Sequence, residues 1–77
     1  MNKKEIEDKV LIIAQDLNSD IELDSDIMNY FDSLDIVEFT MNVEKEYNIA
    51  IMDSEIENIK NINDVVELVV IKTEKRI

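Results

Sequence analysis

The chain has 77 residues, 45% of them hydrophobic, and a formal net charge of −11 from 19 acidic and 8 basic side chains. That length makes residues 1–77 one small domain, without room for both a packed core and a deep active site. The apolar share is too high for a disordered acidic tail, and the charge argues against nucleic acid and anionic membranes as partners and for basic proteins.

The absences narrow the chemistry further. With no Cys there is no disulfide framework, no thiolate nucleophile and no Cys-based metal site. With no His the commonest general base is missing, and with no Gly a glycine-rich phosphate loop is impossible. No apolar run approaches membrane-spanning length and no signal peptide opens the chain, so a cytoplasmic monomer without membrane insertion is expected.

In chain order, residues 3–17 predict a helix, because Ile6, Val10, Ile13, Ala14 and Leu17 recur on one face. Residues 18–32 are rich in Asn, Asp and Ser and predict a long connection, pinned to the core by Ile21, Leu23, Ile27 and Met28. A second helix is expected over residues 33–47, with Asp32 or Ser33 as its cap. Asn48 to Met52 reads as an apolar connection, and Asp53 to Ile59 as one or two helical turns capped at Asp53 or Ser54. The last helix is expected over residues 63–75, capped by Asn63, with Val65, Val66, Leu68, Val69 and Lys72 along its inner side. The predicted fold is all-α, a small four-helix bundle of three main helices and one short one.

The second helix carries more apolar surface than a bundle requires. At about 100° per residue, Ile36, Val43 and Tyr47 align, with Phe39 and Thr40 beside them, and form a sufficient core stripe. Leu34, Val37 and Met41 make a separate stripe flanked by Glu38, Glu44 and Lys45. Two readings stand: a docking surface for a basic partner with a hydrophobic groove, or packing beneath the 18–32 connection.

Candidate metal and acid–base motifs are weak. Asp16-Leu17-Asn18-Ser19-Asp20-Ile21-Glu22 starts like a calcium loop, but Ile21 stands where Gly is needed and Ile27 where a bidentate Glu is needed. Asp32 and Asp35 form a carboxylate pair with no second class of catalytic side chain beside it. No metal site and no catalytic residue is assigned, and the chain is not expected to be an enzyme.

Ser33 remains, either as a plain helix cap or as an attachment point. The run Asp32-Ser33-Leu34-Asp35-Ile36-Val37-Glu38-Phe39 is followed by Met41, Val43, Glu44, Glu46, Tyr47 and Asn48-Ile49-Ala50-Ile51. With the acidic Asp53–Ile59 segment and the closing Asn63-Asp64-Val65-Val66 helix, this order and spacing resembles the acyl carrier protein family over almost the whole chain. The resemblance implies a four-helix bundle whose Ser33 carries 4′-phosphopantetheine through a phosphodiester. It implies that Asp32, Asp35, Glu38 and Glu44, with Leu34, Val37 and Met41, face partner enzymes. Those partners would be a phosphopantetheinyl transferase, acyltransferases, ketosynthases and other basic-surfaced enzymes of fatty-acid or polyketide-type synthesis. A growing acyl chain is expected to insert among Ile36, Phe39, Val43, Ile49 and Ile59. The sequence departs from the family pattern at Tyr30, where Gly is usual, Asn29 (Leu), Met52 (Pro), Asn63 (often Gly nearby) and Lys45 (an acid).

The residue inventory suits a carrier, since a chain without Cys or His offers no efficient internal nucleophile or base to attack a thioester. An aminoacyl or peptidyl carrier is a subordinate option. The competing reading is an unmodified acidic helical interaction module, an adaptor or inhibitor that uses the Leu34/Val37/Met41 stripe and keeps Ser33 as a cap.

Overall fold

The computed structural model describes residues 2–74, which are all-helical: α1 (Lys3–Gln15), α2 (Ser33–Tyr47), the short α3 (Asp53–Ile56) and α4 (Ile62–Glu74), with a 3₁₀ turn at Ile27–Asn29 in the long connection. The predicted all-α bundle of three main helices and one short helix is the fold observed.

Three boundaries differ from expectation, each for a local polar reason. α1 stops at Gln15, two residues early, because Asn18 competes with the helix: its Oδ1 accepts the Asp20 N–H at 3.0 Å and its Nδ2 donates to the Tyr30 carbonyl at 3.1 Å. α3 ends at Ile56 and is capped from Met52, not from Asp53 or Ser54; Glu55 reaches back to accept the Met52 N–H at 2.9 Å. α4 begins at Ile62 and is capped by Asn61, not by Asn63. Asn61 Oδ1 accepts the Asp64 N–H at 3.1 Å, and the Asp64 carboxylate accepts the N–H groups of Lys60 at 2.7 Å and Asn61 at 3.2 Å. Asn63 is already helical and gives its N–H to the Leu23 carbonyl at 3.1 Å. Lys75, in the expected last turn, lies outside the described residues.

One core holds the helices. α1 contributes Ile6, Val10 and Ala14, α2 contributes Phe39, Val43 and Tyr47, and α4 contributes Ile62, Val65, Val66 and Val69. α1 packs most extensively on α4 and next on α2. Burying each such aliphatic or aromatic side chain is worth about 1.5–3 kcal/mol, offset largely by chain entropy. Ile21, Ile27 and Phe31 tuck the long connection into this core, and Phe31 meets Phe39 with ring centroids 5.6 Å apart. Ile27 also donates its N–H to the Lys60 carbonyl at 2.9 Å, tying the connection to the loop before α4. Met28, expected to pin the connection, points outward instead and is 67% exposed. The Tyr47 hydroxyl is buried without a hydrogen-bond partner among the described residues. Burial pushes that phenol's pKa up, helped by the nearby charges of Glu46 and Glu5.

A chain without glycine must still reverse direction after α2. Asn48 does this at φ 53°, ψ 51°, the one left-handed residue among those described. Its N–H and that of Ile49 both reach the Glu44 carbonyl, and the Glu44 side chain accepts the Ile51 N–H at 2.9 Å. α3 itself has no buried residue and is held to α4 by Glu55, which accepts from Lys72 Nζ at 3.0 Å. The bond from the Met52 N–H, then the one from Lys72, holds the Glu55 carboxyl below its ordinary pKa.

Two stability predictions follow from these contacts. Asn48→Ala should lower unfolding free energy by about 1 kcal/mol, since a Cβ without a local polar side chain is penalised in the left-handed region, while Asn48→Gly should stay within about 0.5 kcal/mol of the parent. Urea titration of both variants checks this, and equal losses would contradict it. Because the Glu55 pKa is depressed in the folded state, its contribution is present above the unfolded carboxyl pKa and disappears as pH falls through the folded one. Glu55→Gln should therefore be less stable than the parent at neutral pH, by about 0.5–1 kcal/mol for a partly exposed pair screened by solvent. Melts repeated down to about pH 3 should show the gap closing; a pH-independent gap would assign the loss to packing.

Candidate functional site

The site is built at the first turn of α2. Asp32 has extended backbone, φ −86° and ψ −177°, and its Oδ1 accepts the Asp35 N–H at 2.9 Å. Asp35 Oδ2 in return accepts the Asp32 N–H at 3.2 Å, which closes a reciprocal capping box. Of the two cap candidates, Asp32 is therefore the cap, and Ser33 is the first helical residue. Its side chain is exposed and makes no hydrogen bond among the described residues. The hydroxyl has been relieved of structural duty by its neighbours.

Tyr30, where a glycine was the family's usual residue, has φ −119° and ψ −25°, a conformation open to any L-residue. Its carbonyl is held by Asn18, and the Phe31 N–H bonds the Ile27 carbonyl at 2.8 Å. The loop reaches Ser33 without needing a left-handed residue.

Beside Ser33 opens an apolar groove of about 380 Å³ between the 3₁₀ turn, α2 and the α3 segment. Ile27, Met28, Ile36, Val37, Ile56 and Ile59 line it, with Glu57. Of the five residues expected around an inserted chain, Ile36 and Ile59 lie on this groove. Phe39 and Val43 lie in the sealed core, and Ile49 packs half-buried on that core after α2. Ile27, Met28, Ile56 and Glu57 were missed, because they come from segments that only the Ile27–Lys60 backbone bond brings near α2. The signal available was weak: two apolar residues in a polar connection, which read as anchors.

The outward stripe of α2 is free. Leu34 is 79% exposed, Val37 51% and Met41 47%, so the alternative of packing beneath the 18–32 connection does not hold. Glu38 is exposed beside them, whereas Glu44 is half-buried with one carboxylate oxygen on the Ile51 N–H. From residue 10 to residue 44 the chain has no Lys or Arg, so the sequence flanking Ser33 carries one sign of charge. No cluster of three or more potential metal ligands occurs among the described residues.

Comparison with known proteins agrees with this geometry. The profile of the family described as "Phosphopantetheine attachment site" matches residues 10–69. The acyl carrier protein of Porphyromonas gingivalis (strain ATCC BAA-308 / W83) is 35% identical over 62 residues, covering 80% of this chain and 77% of that protein. The acyl carrier protein of Rickettsia rickettsii (strain Iowa) is 41% identical over 70 residues, covering 83% and 81%. A family profile that matches most of the chain, together with acyl carrier proteins at 35% and 41% identity over most of its length, shows that the chain belongs to the phosphopantetheine-dependent acyl carrier protein family.

Proposed function

We propose that this protein is a cytoplasmic acyl carrier of fatty-acid or related biosynthesis and that Ser33 Oγ is its attachment atom. The observation that supports this most directly is the Asp32–Asp35 capping box, which leaves the Ser33 hydroxyl exposed and unbonded at the lip of an apolar groove. The attached group supplies a terminal thiol that holds acyl cargo as a thioester. The chain's own residues position and protect. The start of α2 favours the negative charge of a phosphodiester through its dipole and free N–H groups, opposed locally by the Asp32 and Asp35 charges. With no His or Cys in the chain, neither Ser33 nor a thioester has an internal activating group, so modification and acyl transfer fall to partner enzymes.

Those partners are a phosphopantetheinyl transferase, acyltransferases and ketosynthases. Leu34, Val37 and Met41 offer them an apolar contact, and Asp32, Asp35 and Glu38 an acidic rim that steers basic surfaces. Glu44 adds charge to that rim while its other role, holding Ile51, is structural. Ile36 and Ile59 receive the first methylenes of the cargo in the groove, together with Ile27, Met28 and Ile56.

Incubation with coenzyme A and a phosphopantetheinyl transferase, read by intact mass, should give a gain of one phosphopantetheine that Ser33→Ala abolishes. No gain with several transferases would select the unmodified interaction module instead. In the loaded protein, melting temperature should rise from a two-carbon to a medium-length acyl group, each buried methylene contributing at most about 0.8 kcal/mol. Melting that ignores chain length would remove the groove from the proposal, and better retention of aminoacyl than acyl cargo would select the aminoacyl carrier.

A further inference from the structure

Methionine is more often an interior residue than a surface one, yet Met28, Met41 and Met52 are 67%, 47% and 61% exposed. They come from three separate elements, and each either lines the groove beside Ser33 or lies one helical turn from a residue that does. Met28, in the 3₁₀ turn, lines the groove with Ser33 and Val37. Met41 follows Val37 by one helical turn on the outward stripe of α2. Met52 caps α3 and takes the N–H of Ile56, itself a groove residue, on its carbonyl at 3.0 Å. The polypeptide has no Cys, so before a prosthetic group is attached its thioethers are the only sulfur atoms it offers to an oxidant. None of these three side chains belongs to the core.

We infer that Met28, Met41 and Met52 form a reversible oxidation site through which peroxide turns off the docking face around Ser33. In each event the thioether sulfur attacks one peroxide oxygen and the O–O bond breaks. Sulfur loses two electrons to become the sulfoxide, and the other oxygen leaves as water after taking up the proton. A methionine sulfoxide reductase returns the thioether. The product places a polar S=O where a partner meets apolar surface, and docking then requires its desolvation. Because the three side chains are outside the core, the bundle keeps its fold while its recognition surface changes. The inference rests on the carrier reading given above.

The test treats the full chain with hydrogen peroxide, maps oxygen addition by peptide mass spectrometry, and measures the transferase rate before and after. The expected result is oxygen at Met28, Met41 and Met52 with an unchanged melting profile. The rate should fall about tenfold, the scale of losing one or two apolar docking contacts, and a sulfoxide reductase should restore it. The combined variant Met28→Leu, Met41→Leu and Met52→Leu is compared with its own untreated form, and its ratio of rates should stay at unity. Oxidised parent protein modified at its untreated rate would overturn the inference, as would an equal fall in the triple variant or a melting profile lost on oxidation. Untreated protein that accepts no phosphopantetheine would instead sink the carrier reading, and this inference with it.

Discussion

The paired bonds between Asp32 and Asp35 set the arrangement on which the rest of the site depends. A helix needs its first donors satisfied, and here two carboxylates satisfy them reciprocally. Along the helix, Phe39, Val43 and Tyr47 turn inward and Leu34, Val37 and Met41 outward, because burial of one stripe leaves the other to solvent. Had Ser33 been the cap, its hydroxyl would have been bound to backbone. The same two aspartates therefore start the helix, leave the Ser33 hydroxyl unbonded and acidify its surroundings.

The second constraint is that the chain works without glycine, proline or histidine. Asn48 takes the left-handed position, where a short polar side chain is tolerated, and Tyr30 occupies a backbone region that needs no glycine. Asn18, Asn61 and Asp64 then hold the connections by side-chain bonds to backbone. At Tyr30, which departs from the family's usual glycine, the backbone is held by Asn18, and at Met52 by Glu55. The lack of internal bases and nucleophiles keeps a carried thioester inert until an enzyme arrives.

Charge and apolar surface are divided between two ends of the problem. The core joins α1 to α4 and α2 by burial, and its ion pairs are few and peripheral, such as Lys3–Glu67 at 2.6 Å and Lys9–Glu46 at 3.3 Å. Residues 10–44, which hold Ser33, include no basic residue, and this concentrates negative charge on that stretch at some cost in self-repulsion. α3, with nothing buried, is the element least committed to the core and borders the groove.

The three long helices, their inner faces and the place of Ser33 at the start of the second one were legible in the sequence, because helical periodicity and the Asp-Ser-Leu-Asp run are local signals. The outward stripe of α2 was visible as surplus apolar surface, but only packing decided that nothing in the chain covers it. Helix ends at Gln15 and Ile62 were misjudged because they depend on which carbonyl or carboxylate wins each backbone donor. The groove was legible only in part. Ile36 and Ile59, two of the five residues expected around an inserted chain, lie on the groove, whereas Phe39 and Val43 are sealed within the core. Periodicity states which face of a helix is buried, not how deep each residue lies on it. Met28 and Ile56 sit 28 positions apart in sequence and become neighbours only when Ile27 bonds Lys60, a long-range pairing that no local pattern records. The sequence by itself determined the class of fold and the sign of the surface and singled out the serine as a candidate; the tertiary structure decided what surrounds that serine, because a groove is made by segments whose meeting is a property of the whole core.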